Sequence, residues 1–457
     1  MIQPASRQPE NVTAPTAPRH ARLRCWLRRL ALTATVLVVL TLLTRLVFFQ
    51  GPYRAPEPLP EGKLLDMHCH VAGIGAGDSG CFVAPRMQDS WKFDFYLRAF
   101  GVTRAEVEAK GDQWLVQRLS EQIAESRHVG AAIILAMDGV VDEHGQLDRR
   151  RTEFYVPNEF VATAAARHTN LLFGASINPY RPDALQRLVW AKEHGAKLVK
   201  WIPSIMAIDP ADARLEPFYR KLVELDLPLL THAEQERSFT HAQDELCDPD
   251  RLRLPLKLGV QVIVAHASAT GANHGERNPD RLKRLLAEYP NLQADVSSLT
   301  QINKLGSLRD AIGEPLFSGR LLYGTDFPLI NMPLVSPWWF PLNLRFAQMR
   351  AIAAIPNPWD RDVALKQALG VPRAVFEQPG RLFLNDGHAG QSQNPVGANG
   401  RSNPRSVTGR CGHEPGRAAL LRRQAERQLS PTRFLDRLTL PAEPSLLASA
   451  PAGLPAR

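Results

Sequence analysis

Residues 63–73 read KLLDMHCHVAG. A short apolar run leads into two histidines one residue apart, the pattern of a buried strand that ends in a polar mouth. In an extended chain positions i and i+2 share a face, so His68 and His70 point the same way and Cys69 between them points the other. Two neutral imidazoles so placed can close on one divalent ion. Taken alone, such a pair is more often two ordinary histidines; what decides is whether the rest of the chain supplies partners.

Seven further runs repeat the plan of a short apolar, β-branched stretch followed by a polar loop, at 131–137, 171–177, 196–201, 228–232, 260–266, 292–296 and 321–324. Helical patterns fall between most of them, for example at 182–194, 215–224, 249–258 and 279–288. Strand alternating with helix marks parallel βαβ units, and eight such strands predict an α/β fold, a closed (β/α)8 TIM barrel over residues 63–386. The glycine-rich GIGAGDSG at 73–80 does not open a helix in the register of a dinucleotide fingerprint and reads as a loop, which speaks against a doubly wound sheet.

In such a barrel the chemistry stands at the carboxyl ends of the strands. Those ends read DMHCH, KLVKW, LLTHAE, VIVAHAS and LLYGTDFP, which puts Lys200, His232, His266 and Asp326 beside the first pair. Imidazoles and carboxylates closing separate apolar strands make poor core packing, because buried polar groups need partners. They predict a divalent-metal centre. A bound ion can bring water towards a pKa near 7 and polarise a carbonyl, and Asp326 can take the water's proton and pass it to a leaving group. Histidine and carboxylate donors suit zinc best, with manganese or iron open.

Through these motifs, over about residues 64–384, the chain resembles the amidohydrolase superfamily, in its amidohydrolase-related (amidohydrolase-2) branch. The resemblance implies that His68, His70 and His232 bind metal, that His266 binds a second metal or acts on substrate, and that Asp326 binds metal and shuttles protons. In binuclear members a strand-four lysine, carboxylated by carbon dioxide, bridges two ions, and Lys200 stands at that place. Unmodified, it could equally hold a substrate carboxylate or pair with an acid. One ion is the expectation and two the alternative.

The activity implied is metal-dependent hydrolysis of an amide, ester or lactone in a small molecule. Related decarboxylases use the same ligands on aromatic or unsaturated carboxylic acids and form the first alternative. Deaminases of the superfamily normally carry Glu three residues after the strand-five histidine; position 235 is Gln here, between Glu234 and Glu236, which speaks against deamination. A catalytically inactive, membrane-tethered binding protein is the second alternative. Against it stands Asp326, since binding alone needs no proton shuttle. Asp138, Asn178, Trp201, Glu234 and Glu236 follow strand ends and would rim the same mouth, orienting substrate or capping loops. The segments 73–100 and 299–305 should set specificity, but their residue types do not name a substrate.

The net charge of +9 is not spread evenly. Residues 1–50 and 388–457 each carry +6, which leaves −3 for 51–387, so the basic character belongs to the ends and nucleic acid is not an expected partner. Five scattered cysteines show neither CxxC spacing nor the density of a disulfide scaffold.

Residues 30–49, LALTATVLVVLTLLTRLVFF, have the length and composition of one transmembrane helix, with Arg45 near enough to the end to snorkel. Arg19, Arg22, Arg24, Arg28 and Arg29 precede it, whereas only Arg54 and Lys63 follow closely, so the basic segment 1–29 is expected in the cytoplasm and the barrel outside it. A cleaved signal peptide would want a small-x-small site, which FFQGPYRAPEP lacks. Residues 50–62, with GPYRAPEPLP at their centre, read as a semi-rigid extended spacer. Residues 387–457 read as a disordered, low-complexity basic tail, with a short helix at 417–429.

Overall fold

The computed structural model describes residues 19–384; the tail expected at 387–457, including its helix at 417–429, lies outside the described residues, as does the start of the basic N-terminal segment. Eight parallel strands are present: β1 Leu64–His70, β2 Val129–Leu135, β3 Leu171–Gly174, β4 Val199–Trp201, β5 Leu229–Thr231, β6 Val262–Val264, β7 Leu292–Asp295 and β8 Leu321–Leu322. Each pairs with its neighbours in chain order, β1 to β3 in one set and β4 to β8 in another. Parallel bridges Ala175–Val199 and Cys69–Phe327 close the two seams, so the eight strands form a complete ring.

Most strands are shorter than their apolar runs. The last residues of several runs, His232 and His266 among them, leave the ladder to turn into the mouth, which is where a barrel keeps its irregular backbone.

The helices between strands follow the apolar spacing. Glu216–Glu224 buries Phe218, Tyr219 and Leu222 and opens on Pro217, whose missing N–H is no loss in a first turn. The helix expected at 249–258 is instead a 3-10 turn, Pro249–Leu252, followed by Arg253–Lys257. Pro255 is the reason, since it fits only the first turn of a helix and bars one running through from Pro249.

Inside the ring, Leu65, Met67, Ile133, Leu135, Leu230 and Ile263 fill the barrel, and Phe383 of the last helix, Arg373–Phe383, joins them. β1 changes its facing partway. Asp66 pairs with Ala132 and Cys69 with Ile134, so Met67 and His68 together face the single residue Ile133, a bulge. It lets Met67 pack in the interior while His68 and His70 also aim into the mouth and Cys69 returns to the outer core. Asp66, on the outer side of the wall, accepts from Thr325 of the β8 end and from the Trp359 indole, which locks the bulge to the last strand.

Before the barrel, the helix Arg19–Phe48 contains a stretch, Leu23–Phe48, long and apolar enough to cross a membrane, a property that signal sequences share. The segment expected as a semi-rigid extended spacer is extended, and it is also fastened to the domain. Tyr53 N–H donates to Leu369, Arg54 to Ile312, Asn343 to Gly51 and Gln367 to Glu57, so residues 51–57 lie as a strap on the domain. The Pro-rich composition foretold its extension; its backbone groups then had to find partners, and the neighbouring helices supply them.

Gly370 permits that contact. Its φ is +95°, and a Cβ there would stand 2.3 Å from the Arg54 carbonyl oxygen. Gly370→Ala is therefore expected to cost more than Gly319→Ala, where φ is +70° but the surrounding space is empty. Strain alone should account for about 1 kcal/mol in the latter, and strain plus displacement of the strap for about 2–4 kcal/mol in the former. Urea denaturation followed by tryptophan emission checks this; equal midpoints for the two variants would refute the strap contact.

Candidate metal centre

His68 is fully buried. Its Nδ1 lies 2.8 Å from Asp295 Oδ2, and its Nε2 lies 3.1 Å from Lys200 Nζ and 3.6 Å from Asp326 Oδ1. Burial, aided by the Lys200 charge, draws the His68 pKa down to about 4 against the pull of Asp295 and Asp326. The ring is thus neutral near pH 7, donates through Nδ1 to Asp295 and turns the Nε2 lone pair inward, the orientation a metal-ligating histidine needs. Gly324 makes room for it, because a Cβ there would lie 2.8 Å from the His68 Cβ. His70 sits closer to the opening, with Nε2 3.1 Å from Asp326 Oδ1.

The ends of β6, β7 and β8 share an unusual backbone. His266, Ala267, Ser268, Ser298 and Asp326 all have φ between 47° and 61°, a left-handed conformation that is strained for residues with a side chain. Hydrogen bonds hold it. Asp295 Oδ1 accepts from the His266 and Ser297 amides, the His266 ring approaches the Ser297 carbonyl through Nδ1 at 3.0 Å, and the Asp326 amide donates to the His68 carbonyl at 2.8 Å. With Nδ1 so engaged, His266 Nε2 faces Asp326 Oδ2 at 3.8 Å. Burial draws the His266 pKa down to about 3, leaving it neutral as well.

Asp326 is the meeting point. Burial opposes its charge, but His266, His70 and His68 outweigh burial and hold the carboxyl well below its ordinary range. The Ser298 hydroxyl donates to Oδ2 and itself accepts from Gln301 at 2.6 Å. Across the mouth, His232 Nε2 stands 3.5 Å from Glu234 Oε1 and 3.6 Å from Glu236 Oε2, with Nδ1 against the Cys247 thiol at 3.9 Å. Burial works against a charge on His232, yet Cys247, Glu234 and Glu236 lift its pKa to about 10. Glu234 is also bound by the Lys304 ammonium and by Thr270.

The imidazoles form a chain, His70–His68–His266–His232, with successive ring centroids 5.2 to 5.4 Å apart. Three donor sets follow it: His68, His70 and Asp326; His68, His266 and Asp295; and His232, Glu234 and His266. The charges point to a cation. Asp295, Asp326, Glu234 and Glu236 bring four carboxylates into a space that holds the ammonium groups of Lys200 and Lys304 and the His232 imidazolium, and an uncompensated negative charge out of water is costly. A divalent ion that took the place of the His232 proton would remove that cost, so the donors present fit one.

These residues open on a cavity of about 200 Å³ lined by His70, Lys200, His232, Glu234, His266 and Asp326, with an apolar wall that includes Met87, Phe93, Tyr96, Phe100, Phe154 and Phe239. Lys200 reaches it with His68 as its near neighbour, and burial lowers its pKa. Three expected rim residues do not line it. Asp138 is paired with Arg181 and accepts from the Asn178 amide; Asn178 donates to the carbonyls of Gly139 and Met206; the Trp201 indole donates to Ile177 and packs on Phe218 and Tyr219. Each follows a strand end, but each is spent on bracing loops or filling the outer core. Asp295, Ser297, Ser298 and Cys247 were not anticipated, and Lys304 only as part of the 299–305 segment. Only Asp295 left a trace in the sequence, as an acid at the end of the seventh apolar run.

The chain matches the family described as amidohydrolase over residues 66–375. No curated protein matches it. Among solved structures, an uncharacterised TIM-barrel protein from Bordetella bronchiseptica is similar at 17% identity and a TM-score of 0.42, over 67% of this chain and 99% of that one. The 5-carboxyvanillate decarboxylase of Sphingomonas paucimobilis is similar at 12% identity and 0.38, over 70% and 99%. N-isopropylammelide isopropylaminohydrolase of Burkholderia multivorans is similar at 16% identity and 0.36, over 71% and 75%. With more than half its length matched and the strand-end histidines and aspartate gathered at one barrel mouth, the chain belongs to the amidohydrolase family.

Proposed function

We propose that this chain is a metal-dependent hydrolase that cleaves an amide, ester or lactone bond of an apolar small molecule. The observation that carries the reading is the place of Asp326: a buried carboxylate facing three rings of the imidazole chain, with one oxygen 3.1 Å from His70 and the other held by Ser298. His68, His70 and Asp326 would hold one divalent ion, with His232 and His266 as further donors; zinc suits this set best. When bound, such an ion supplies Lewis acidity, drawing the pKa of water towards 7 and polarising a carbonyl.

The chain's own residues do the rest. Asp326 accepts the proton of the attacking water and returns it to the leaving group, as one group acting first as base and then as acid must. Asp295 and Ser297 orient His68 and His266, so that their inward nitrogens stay unprotonated. The apolar wall takes the non-reacting part of the substrate and keeps water from it.

A second reading rests on Lys200. Its ammonium is buried at the floor of the cavity beside His68, a place suited to a substrate carboxylate and hence to decarboxylation, and equally to carboxylation of the lysine as a bridge between two ions. The helix Leu23–Phe48 supports anchoring in a membrane, and the arginines at and before its first turns support a cytoplasmic N-terminus and a barrel on the far side.

Three outcomes are expected. Asp326→Asn should lower kcat by about 10²- to 10⁴-fold on a panel of aryl esters and anilides; a variant that keeps the wild-type rate excludes Asp326 as proton carrier, and an unmodified, metal-loaded chain that turns over no substrate supports a pure binding protein. Prolonged dialysis against a chelator should abolish turnover and zinc or manganese should restore it, with elemental analysis giving the number of ions per chain. In ¹⁸O-labelled water the acid product should carry the heavy oxygen without release of carbon dioxide; carbon dioxide, with a solvent deuteron appearing on the substrate carbon in heavy water, would select the decarboxylase instead.

A further inference from the structure

The loop that follows β8 does more than close the cavity. It begins with the lining residues Pro328 and Leu329 and pairs with the β7 loop through Val335 and Gln301, itself a lining residue. It then carries exposed apolar side chains: Leu334, Trp338 and Trp339, with Phe346 opening the helix that follows, Trp338 exposed to 42% and Phe346 to 61%, and Ile302 and Leu305 of the β7 loop exposed beside the same pairing. The Trp338 and Phe346 rings lie 5.5 Å apart, and the Trp339 indole donates to Pro333. Two exposed indoles, a phenyl ring and three aliphatic side chains at one end of a barrel form an unusual surface for a chain in water.

The same loop receives the end of the N-terminal helix. Arg45 donates to the Leu344 carbonyl at 2.7 Å, the Gln50 amide to Leu342 at 2.9 Å, and Asn343 to Gly51 at 3.0 Å. A helix of membrane-crossing length thus ends on the loop that carries the exposed rings, with no slack between them. Tryptophan is favoured where a bilayer meets water, its ring in the boundary and its N–H on a polar partner.

We propose that the barrel mouth docks on the surface of a lipid bilayer through Trp338, Trp339 and Phe346, so that the apolar cavity opens beside the lipid and draws its substrate from it. The inference rests on the reading of Leu23–Phe48 as a membrane anchor. The occupant is the lipid interface, since the chain itself would bring it there: Leu46, Val47 and Phe48, the last turn of the helix, are exposed and run directly into the segment bound by the loop.

The test uses the full chain in nanodiscs of phosphatidylcholine brominated near the headgroup end of its acyl chains, a contact quencher of tryptophan. Trp26, in the first part of the helix, is a built-in control for insertion. The expected result is that Trp26→Phe and Trp338→Phe/Trp339→Phe each remove a separate share of the quenched emission. Loss with the first variant but not the second leaves the anchor standing and overturns docking of the mouth. Loss with neither means that the helix is not inserted, and both readings fall. Rings at 338 and 339 that are shielded from aqueous iodide but not quenched by the bromolipid, in a particle carrying two chains, would assign the surface to a second copy and also overturn the proposal.

Discussion

Asp295 is the constraint on which the mouth depends. Its side chain has no contact with water, and its two oxygens reach three strand ends: Oδ2 takes the His68 ring of β1, while Oδ1 takes the His266 amide after β6 and the Ser297 amide after β7. Burial raises the free energy of its charge, and the His68 imidazole and its other donors more than offset that, holding the carboxyl far below its ordinary range. The consequence is geometric. Those bonds hold the His68 ring and the left-handed turn at His266 in place, so donors from separate strands are oriented before any ion or substrate arrives. The strain at His266, Ser298 and Asp326 is sustained by this network and by the packing around it, rather than by favourable local conformations.

The fold was legible because burial on both faces writes parallel strands as near-continuous apolar runs, and all eight runs proved to be strands. The histidines and Asp326 were legible for the same reason, since each stands where an apolar run stops. What lay hidden depends on pairs across the ring. Nothing in LQADVSS announces that Asp295 will face His68, 227 residues away in sequence. Asp138 looked like a rim residue because its partner Arg181, 43 positions on, could not be placed beside it. The bulge at Met67 and His68 was also invisible: strict alternation would have turned either the packing residue or the ligand outward, and the sequence carries no mark of the extra residue.

Glu234 and Lys304 show how a single pair divides the cavity. Their ion pair, reinforced by Thr270, occupies the side next to His232, whereas Lys200 stands beside His68 with its charge less fully matched. The two ammonium groups are therefore not equivalent. Lys304 braces the β7 loop against the β5 end, while Lys200 has the His68 ring as its near neighbour.

The strap at residues 51–57 also bears on the order in which the chain can assemble. Its partners, Ile312, Asn343, Gln367 and Leu369, are all encoded in the last third of the domain, as is the Phe327 bridge that seals β1 to β8. A ribosome delivers the strap and β1 first and these partners last. Through most of synthesis the first strand must wait with one edge unpaired, and the ring can shut only when both ends of the domain are out, so that sealing the barrel and fastening its N-terminal segment become a single late event.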